Sequence, residues 1–198
     1  MWLGFWRAPL SAAVRRRLAN SMATAIDAFA NEARSYCRWA RGDDGSEMSL
    51  PSALRRVTAL YVAALALPHH WSEALNEIPD TEDQPLDRMD IVTQRFESLP
   101  RQIYWEIFDP LTHAPEEPVL GHLTDDLGDI YRDTSQGLTL YDAGRIEEAL
   151  WEWGFSFQFH WGEHAAGAIR AIHAYLSQED PAGFAATPNK SLEGTREG

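Results

Sequence analysis

Cysteine is almost absent from this 198-residue chain, with Cys37 the only one. One thiol cannot close an internal disulfide or furnish a cysteine-rich zinc site. It sits among apolar residues at helical spacing, so it reads as a small buried hydrophobe rather than a nucleophile. A reducing cytoplasm is the expected compartment. Lysine is as scarce, Lys190 standing alone among 17 basic residues. Long apolar runs are missing too. The longest, from Val57 to Leu67, is interrupted by Thr58, whereas a membrane span needs about 20 residues. The apolar start, MWLGFWRAPL, has its Arg15-Arg16-Arg17 cluster on the wrong side for a secretory signal. Its Trp2, Phe5 and Trp6 suit an extension packed on the body better than a membrane-surface anchor. No membrane partner is expected.

Positive charge is in deficit: 17 basic residues face 30 acids, a net charge of −13. Residues 1–56 carry nine arginines against five acids, and residues 57–198 carry eight basic residues against 25 acids. Phosphate affinity depends on clustered cations, so no nucleic-acid partner is expected. The acidic body reads first as a solubility device and second as a docking face for a basic partner. At 44% hydrophobic and 24% charged, the composition is that of one folded domain.

What the chain does contain is helical periodicity. Over residues 12–41, Val14, Leu18, Met22, Ala25, Ile26, Phe29, Ala33, Tyr36 and Ala40 share one face at about 100° per residue. Ser11 is placed to cap the start and Gly42 to end it. A second helix opens at Ser49-Leu50-Pro51, runs to Leu67, and is apolar around most of its circumference, which predicts deep burial. Residues 68–85 read as a polar excursion with three prolines. A third helix is expected from Leu86 to Leu99. The segment YWEIFDP, residues 104–110, fits a strand or a helical turn equally, and Pro110, Pro115 and Pro118 make the following stretch irregular.

A fourth helix is expected from Thr124 to Ala143, with Gly144 ending it. A fifth starts at Arg145 and is read as continuous to Gln178. One stripe of the fifth is Leu150, Trp153, Phe157 and Trp161, and a second is Trp151, Phe155 and Phe159. Only Glu152, Ser156, Glu163 and Arg170 form a narrow polar strip, so this helix is placed at the centre of the bundle. Its Gly154, Gly162 and Gly167 imply close approach of a neighbouring helix. The stretch from Leu140 to Leu150 is similar to half a tetratricopeptide unit, but no second copy follows, and an ordinary antiparallel helix pair is the better reading.

Three constellations carry chemistry. His160 and His164 stand four residues apart, about 40° around a helix, and can chelate one ion. With Glu163 they also spell H-x-x-E-H, a zinc-peptidase pattern of low specificity. His173 falls on nearly the opposite side. Asp126, Asp129 and Asp133 form an acidic line on the fourth helix. Helix-borne carboxylates facing histidines on an antiparallel neighbour are how bundles build metal sites, although acids turned to solvent or arginine are the commoner arrangement. Tyr104, Trp105, Trp153 and Trp161 are candidates for ligand or partner contacts, with core packing as the competing role. No phosphate-cradling glycine loop, nucleophile elbow or basic recognition helix is present.

Three blocks together, YWEIFDP (104–110), LTDDLGDIYRD (123–133) and ALWEWGFSFQFHWGEHAAGAIRAIH (149–173), resemble the bacterial domain-of-unknown-function family 5063 over about residues 25–176. That resemblance implies a bacterial, soluble, all-helical protein and supplies no catalytic residues.

The expectation is therefore an all-α fold: a compact bundle of about five helices with a long, nearly fully buried C-terminal helix. Residues 1–10 form an extension, 11–178 one domain, and 179–198 a disordered tail. A non-enzymatic module that binds a protein partner or itself, without cofactor, is the first functional reading. The alternative is a metal-dependent hydrolase of nucleotides or other phosphorylated substrates, its divalent ion held by His160, His164, Asp126, Asp129 and Asp133.

Overall fold

The computed structural model of the protein describes residues 11–68, 88–107, 110–111, 113–114 and 117–185. The expected N-terminal extension, the polar excursion after Pro68 and residues 186–198 of the expected tail lie outside the described residues. The fold is all-α, with one two-stranded ribbon.

Helix α1, Ala12–Arg41, has the predicted limits. Ser11 Oγ accepts the Val14 N–H at 3.3 Å. Gly42, with a φ of 80°, closes the helix, so that Gly42 and Asp43 N–H groups return to the Trp39 and Arg38 carbonyls. On its apolar face Val14 and Met22 are exposed, whereas Ile26, Phe29, Ala33, Tyr36 and Ala40 are buried. Helix α2, Leu50–Leu65, buries Leu50, Ala53, Val57, Leu60 and Ala64. Val62 and Leu65 remain about 60% exposed, so the expected burial around most of its circumference does not occur: α2 is covered by α1 and by the last long helix, and its outer side faces solvent.

Helix α3, Met89–Glu97, contributes Val92 and Phe96 to the core. The ambiguous YWEIFDP segment resolves as a strand at its start. Strand β1, Ile103–Glu106, pairs antiparallel with β2, Val119–His122, Tyr104 lying opposite Gly121. Four residues are too few for a period to declare itself, so the partner strand decided. Helix α4, Leu123–Asp142, follows β2 directly.

The C-terminal region departs most from expectation. Helix α5, Ile146–Ser156, passes into one wide π-helical turn, Phe157–Trp161, and then into α6, Gly162–Gln178. A short α7, Pro181–Ala185, follows, its Phe184 ring set edge-on against His173 at 5.3 Å.

The long C-terminal helix is neither central nor nearly fully buried. Its first stripe, through Leu150, Trp153 and Trp161, is buried, while Phe155 and Phe159 of the second are exposed. The centre belongs to α4, which packs against α1, α3, α5 and α6. The side of the C-terminal helix that meets α4 combines Trp153 with the polar strip, because α4 turns carboxylates toward it. Ser156 is therefore buried and Glu152 half-buried, and the second aromatic stripe is rotated outward.

Gly137 of α4 lets Trp153 lie against the helix backbone, its indole N–H donating to the Thr134 carbonyl at 3.1 Å. Of the glycines expected to admit a helix, Gly154 has nothing near it, Gly162 faces the Phe157 carbonyl of its own wide turn, and Gly167 admits strand β1.

Candidate functional site

Helix α4 sets the acidic line Asp126, Asp129 and Asp133 along the groove it forms with the π turn and α6. Since α4 is enclosed on four sides, Asp126 and Asp133 are buried, and buried carboxylates require partners. Histidines supply them. Asp133 Oδ2 lies 2.7 Å from His160 Nδ1, and Asp126 Oδ1 lies 2.9 Å from His164 Nδ1. An ionised carboxylate only accepts, so Nδ1 of each ring carries the proton and donates. In the neutral ring, Nε2 is then left with its lone pair.

Both Nε2 atoms turn toward Asp129. Its Oδ2 lies 3.4 Å from His164 Nε2 and 4.0 Å from His160 Nε2. The other oxygen, Oδ1, is held by Arg132 at 2.6 Å. The rings themselves meet edge-on, their centroids 4.8 Å apart. One ligand atom from each of Asp129, His160 and His164 lies within 4.8 Å of the others. Two ligands at about 2.1 Å from one ion can be at most about 4.2 Å apart, and both His–Asp129 distances fall inside that limit.

The acidic line and the histidine pair thus face each other, but the five candidate ligands divide into two groups. Asp129, His160 and His164 bring one ligand atom each within 4.8 Å of the others. Asp126 and Asp133 sit behind the rings and orient them. His173 is turned away against Phe184, as its place on the helix predicts.

Electrostatics follow from this crowding. The hydrogen bond to Asp126 raises the His164 pKa against the opposing effect of burial. Burial first, and the Asp133 charge second, push the Glu152 carboxyl up to about 7.

The aromatic candidates separate as well. Tyr104 belongs to the site: its hydroxyl donates to Asp126 Oδ2 at 2.7 Å and lies 3.4 Å from Glu106 Oε2. Trp105, alternate on the strand, points away and is 65% exposed, its carbonyl accepting from Arg170 at 2.7 Å. Trp153 and Trp161 are core residues with no exposure, packed on Phe29; contact with a ligand is closed to them.

A cavity of about 310 Å³ opens over the imidazoles, walled by Glu106, Phe159, His160, Glu163 and His164. Glu106 and Phe159 were absent from the sequence-derived candidates, as was Arg132. Arg132 had a signal, since it follows Asp129 at the i,i+3 spacing of a helical ion pair. Glu106 had none, because only the pairing of β1 brings it to α6.

Fold and cluster together define an all-α bundle protein with an aspartate–histidine centre between its fourth helix and its last long one. The sequence matches the family model of the domain of unknown function DUF5063 over residues 20–178, and the chain belongs to that family. No curated protein and no solved structure matches it. Among the described residues, no helix is long and apolar enough to cross a membrane.

Proposed function

We propose that the protein binds one divalent transition-metal ion through Asp129, His160 and His164 and uses it for hydrolysis. The observation that carries this reading is the shared direction of the two Nε2 atoms toward Asp129 Oδ2, with each Nδ1 tied to a buried carboxylate. Histidines that ligate metals are oriented in this way, by a carboxylate on the far ring nitrogen. Two imidazoles and one carboxylate leave coordination positions open. The cavity above them accommodates a water and a small substrate.

Bound there, the ion would supply a water of lowered pKa as the nucleophile. Glu106 and Glu163 on the cavity wall are the carboxylates placed to take up a proton from it and to return that proton to a leaving group. The wall favours a neutral or cationic substrate over the phosphorylated one first considered. Apart from the imidazoles, its ionisable side chains are the carboxylates Glu106 and Glu163, and the nearby cation Arg132 is engaged by Asp129.

Elemental mass spectrometry of untagged protein purified without chelator tests the metal. Near-stoichiometric zinc, manganese, iron or cobalt is expected, and it is lost in His164→Ala and Asp129→Asn. Protein without metal, whose melting is unchanged by added zinc or manganese, would reduce the cluster to an ion-pair network. With metal present, a screen of amide, ester and amidine substrates tests the hydrolysis, and turnover is expected to vanish in the same variants.

A non-enzymatic binding module remains the second reading, supported by one observation. Trp151 stacks on Phe155 at 4.9 Å, and Phe159 lies tilted against Phe155 at 5.1 Å, forming a row of rings with two exposed members. Sedimentation analysis showing a dimer that Phe155→Asp dissociates would favour self-assembly on this face.

A further inference from the structure

We propose that Tyr104 is a positioning residue of the metal centre, fixing the orientation and tautomer of His164 through Asp126. The inference rests on the metal reading for its effect on affinity, but its geometry stands by itself. Tyr104 lies on β1, outside both helices that carry the ligands, and two glycines on two other elements make room for it. A Cβ on Gly121, its partner across the ribbon, would come within 2.5 Å of the ring carbon bearing the hydroxyl. A Cβ on Gly167 of α6 would come within 2.6 Å of the hydroxyl oxygen. Gly167 stands three residues after His164, so this opening in α6 lies beside the ligand.

Through that opening the hydroxyl reaches Asp126 Oδ2 at 2.7 Å, while Asp126 Oδ1 lies 2.9 Å from His164 Nδ1. Each oxygen of the buried carboxylate thus takes one donor. The Tyr104 hydroxyl carries a single proton, and it goes to Asp126 rather than to the more distant Glu106. Burial and the Asp126 charge raise its pKa far above the ordinary value, so Tyr104 remains a donor throughout the working range of pH. With one donor on each side, the carboxylate cannot rotate about its bond to Cβ without breaking a hydrogen bond. The His164 ring is held with Nδ1 protonated and Nε2 facing Asp129. Behind His160 stands Asp133, whose other oxygen, Oδ1, is paired with Arg132 Nε at 3.6 Å rather than with a hydroxyl.

The test is Tyr104→Phe, which keeps the ring against Gly121 and removes only the hydroxyl. Zinc and cobalt affinities are measured by calorimetry in wild type, Tyr104→Phe, Asp126→Asn and the double variant. Tyr104→Phe is expected to weaken binding about tenfold, the scale of losing a residue that orients a ligand. The double variant is expected to bind no more weakly than Asp126→Asn alone, because Tyr104 acts through Asp126.

In the metal-free protein, at a pH high enough to leave the ring neutral, nitrogen-15 spectra of His164 are expected to show one tautomer, protonated on Nδ1, and a mixture in Tyr104→Phe. Wild-type affinity with an unchanged His164 spectrum in Tyr104→Phe would overturn the proposal, and so would additive losses in the double variant. If wild type binds neither metal, the metal reading fails, and the metal-free spectra alone decide the role of Tyr104. Should Tyr104→Phe not fold, Gly167→Ala, which displaces the hydroxyl, is read by the same spectra.

Discussion

His160 Nδ1 lies 2.7 Å from Asp133 Oδ2, a contact between two helices that joins residues 27 positions apart. Asp133 is buried and His160 half-exposed, so the carboxylate is fixed and the imidazole faces the cavity. If this is the back of a metal ligand, Asp133→Asn should weaken zinc affinity by about 10–100-fold. Asp129→Asn, which removes a ligand, should abolish stoichiometric binding. Isothermal calorimetry on the three proteins separates these outcomes. Equal losses in both variants would mean that Asp133 ligates directly.

Glu152 should make stability depend on pH. Its carboxyl is pushed up to about 7 by burial and by Asp133, against an ordinary value of 4.5. The folded state therefore binds more protons than the unfolded one between these values, and this residue's contribution to stability falls as pH rises through that window. Above pH 7 the full cost of the buried charge is present. After discounting for its partial exposure, Glu152→Gln should raise unfolding free energy by about 1 kcal/mol at pH 8 and by almost nothing at pH 4. Urea titrations at the two pH values check the sign.

Gly137→Ala should destabilise the bundle without touching the site. Its Cβ would overlap the Trp153 indole, which is fully buried between Phe29 and Tyr141 and hydrogen-bonded to Thr134. The ring cannot withdraw, so overpacking of about 2–3 kcal/mol is expected. Chemical denaturation followed by tryptophan fluorescence measures it.

Cys37 should be silent in the native state. Its thiol is buried, lies 3.7 Å from Thr134 Oγ1, and is pushed up to about 11 by burial. A thiol reagent at pH 8 should label no cysteine in folded protein and one after denaturation, since the chain has a single Cys. Labelling at the rate of a free thiol would show that α1 opens away from α4.

Much of the helical framework was legible because capping chemistry is local. Ser11 and Gly42 bound α1 by contacts within four residues of the helix ends, and no tertiary partner is needed to foresee them. The histidine pair was legible for the same reason, since a spacing of four is a property of one helix. The facing of α4 toward the C-terminal helix was open. Asp126, Asp129 and Asp133 suit solvent, arginine or histidine equally until the neighbour is known.

The errors have physical causes as well. Two aromatic stripes on the C-terminal helix looked like two buried faces, because apolar content predicts burial only where a neighbour exists to cover it. The wide turn at Phe157–Trp161 followed no recognised residue pattern and shifts the register between α5 and α6. Trp153 and Trp161 went to the core rather than to a ligand, as large rings on an inward stripe do.

Sequence alone determined the helical class, the ends of α1, the burial of the single cysteine and the shared face of His160 and His164. These depend on periodicity, capping and spacing, which act over a few residues. Tertiary structure decided that α4 is the central helix, that Asp126 and Asp133 stand behind the imidazoles while Asp129 stands before them, and that β1 brings Tyr104 to Asp126. Those relations join residues 22 to 38 positions apart. They depend on which faces of packed elements meet, and one element's sequence cannot encode that choice without its neighbours.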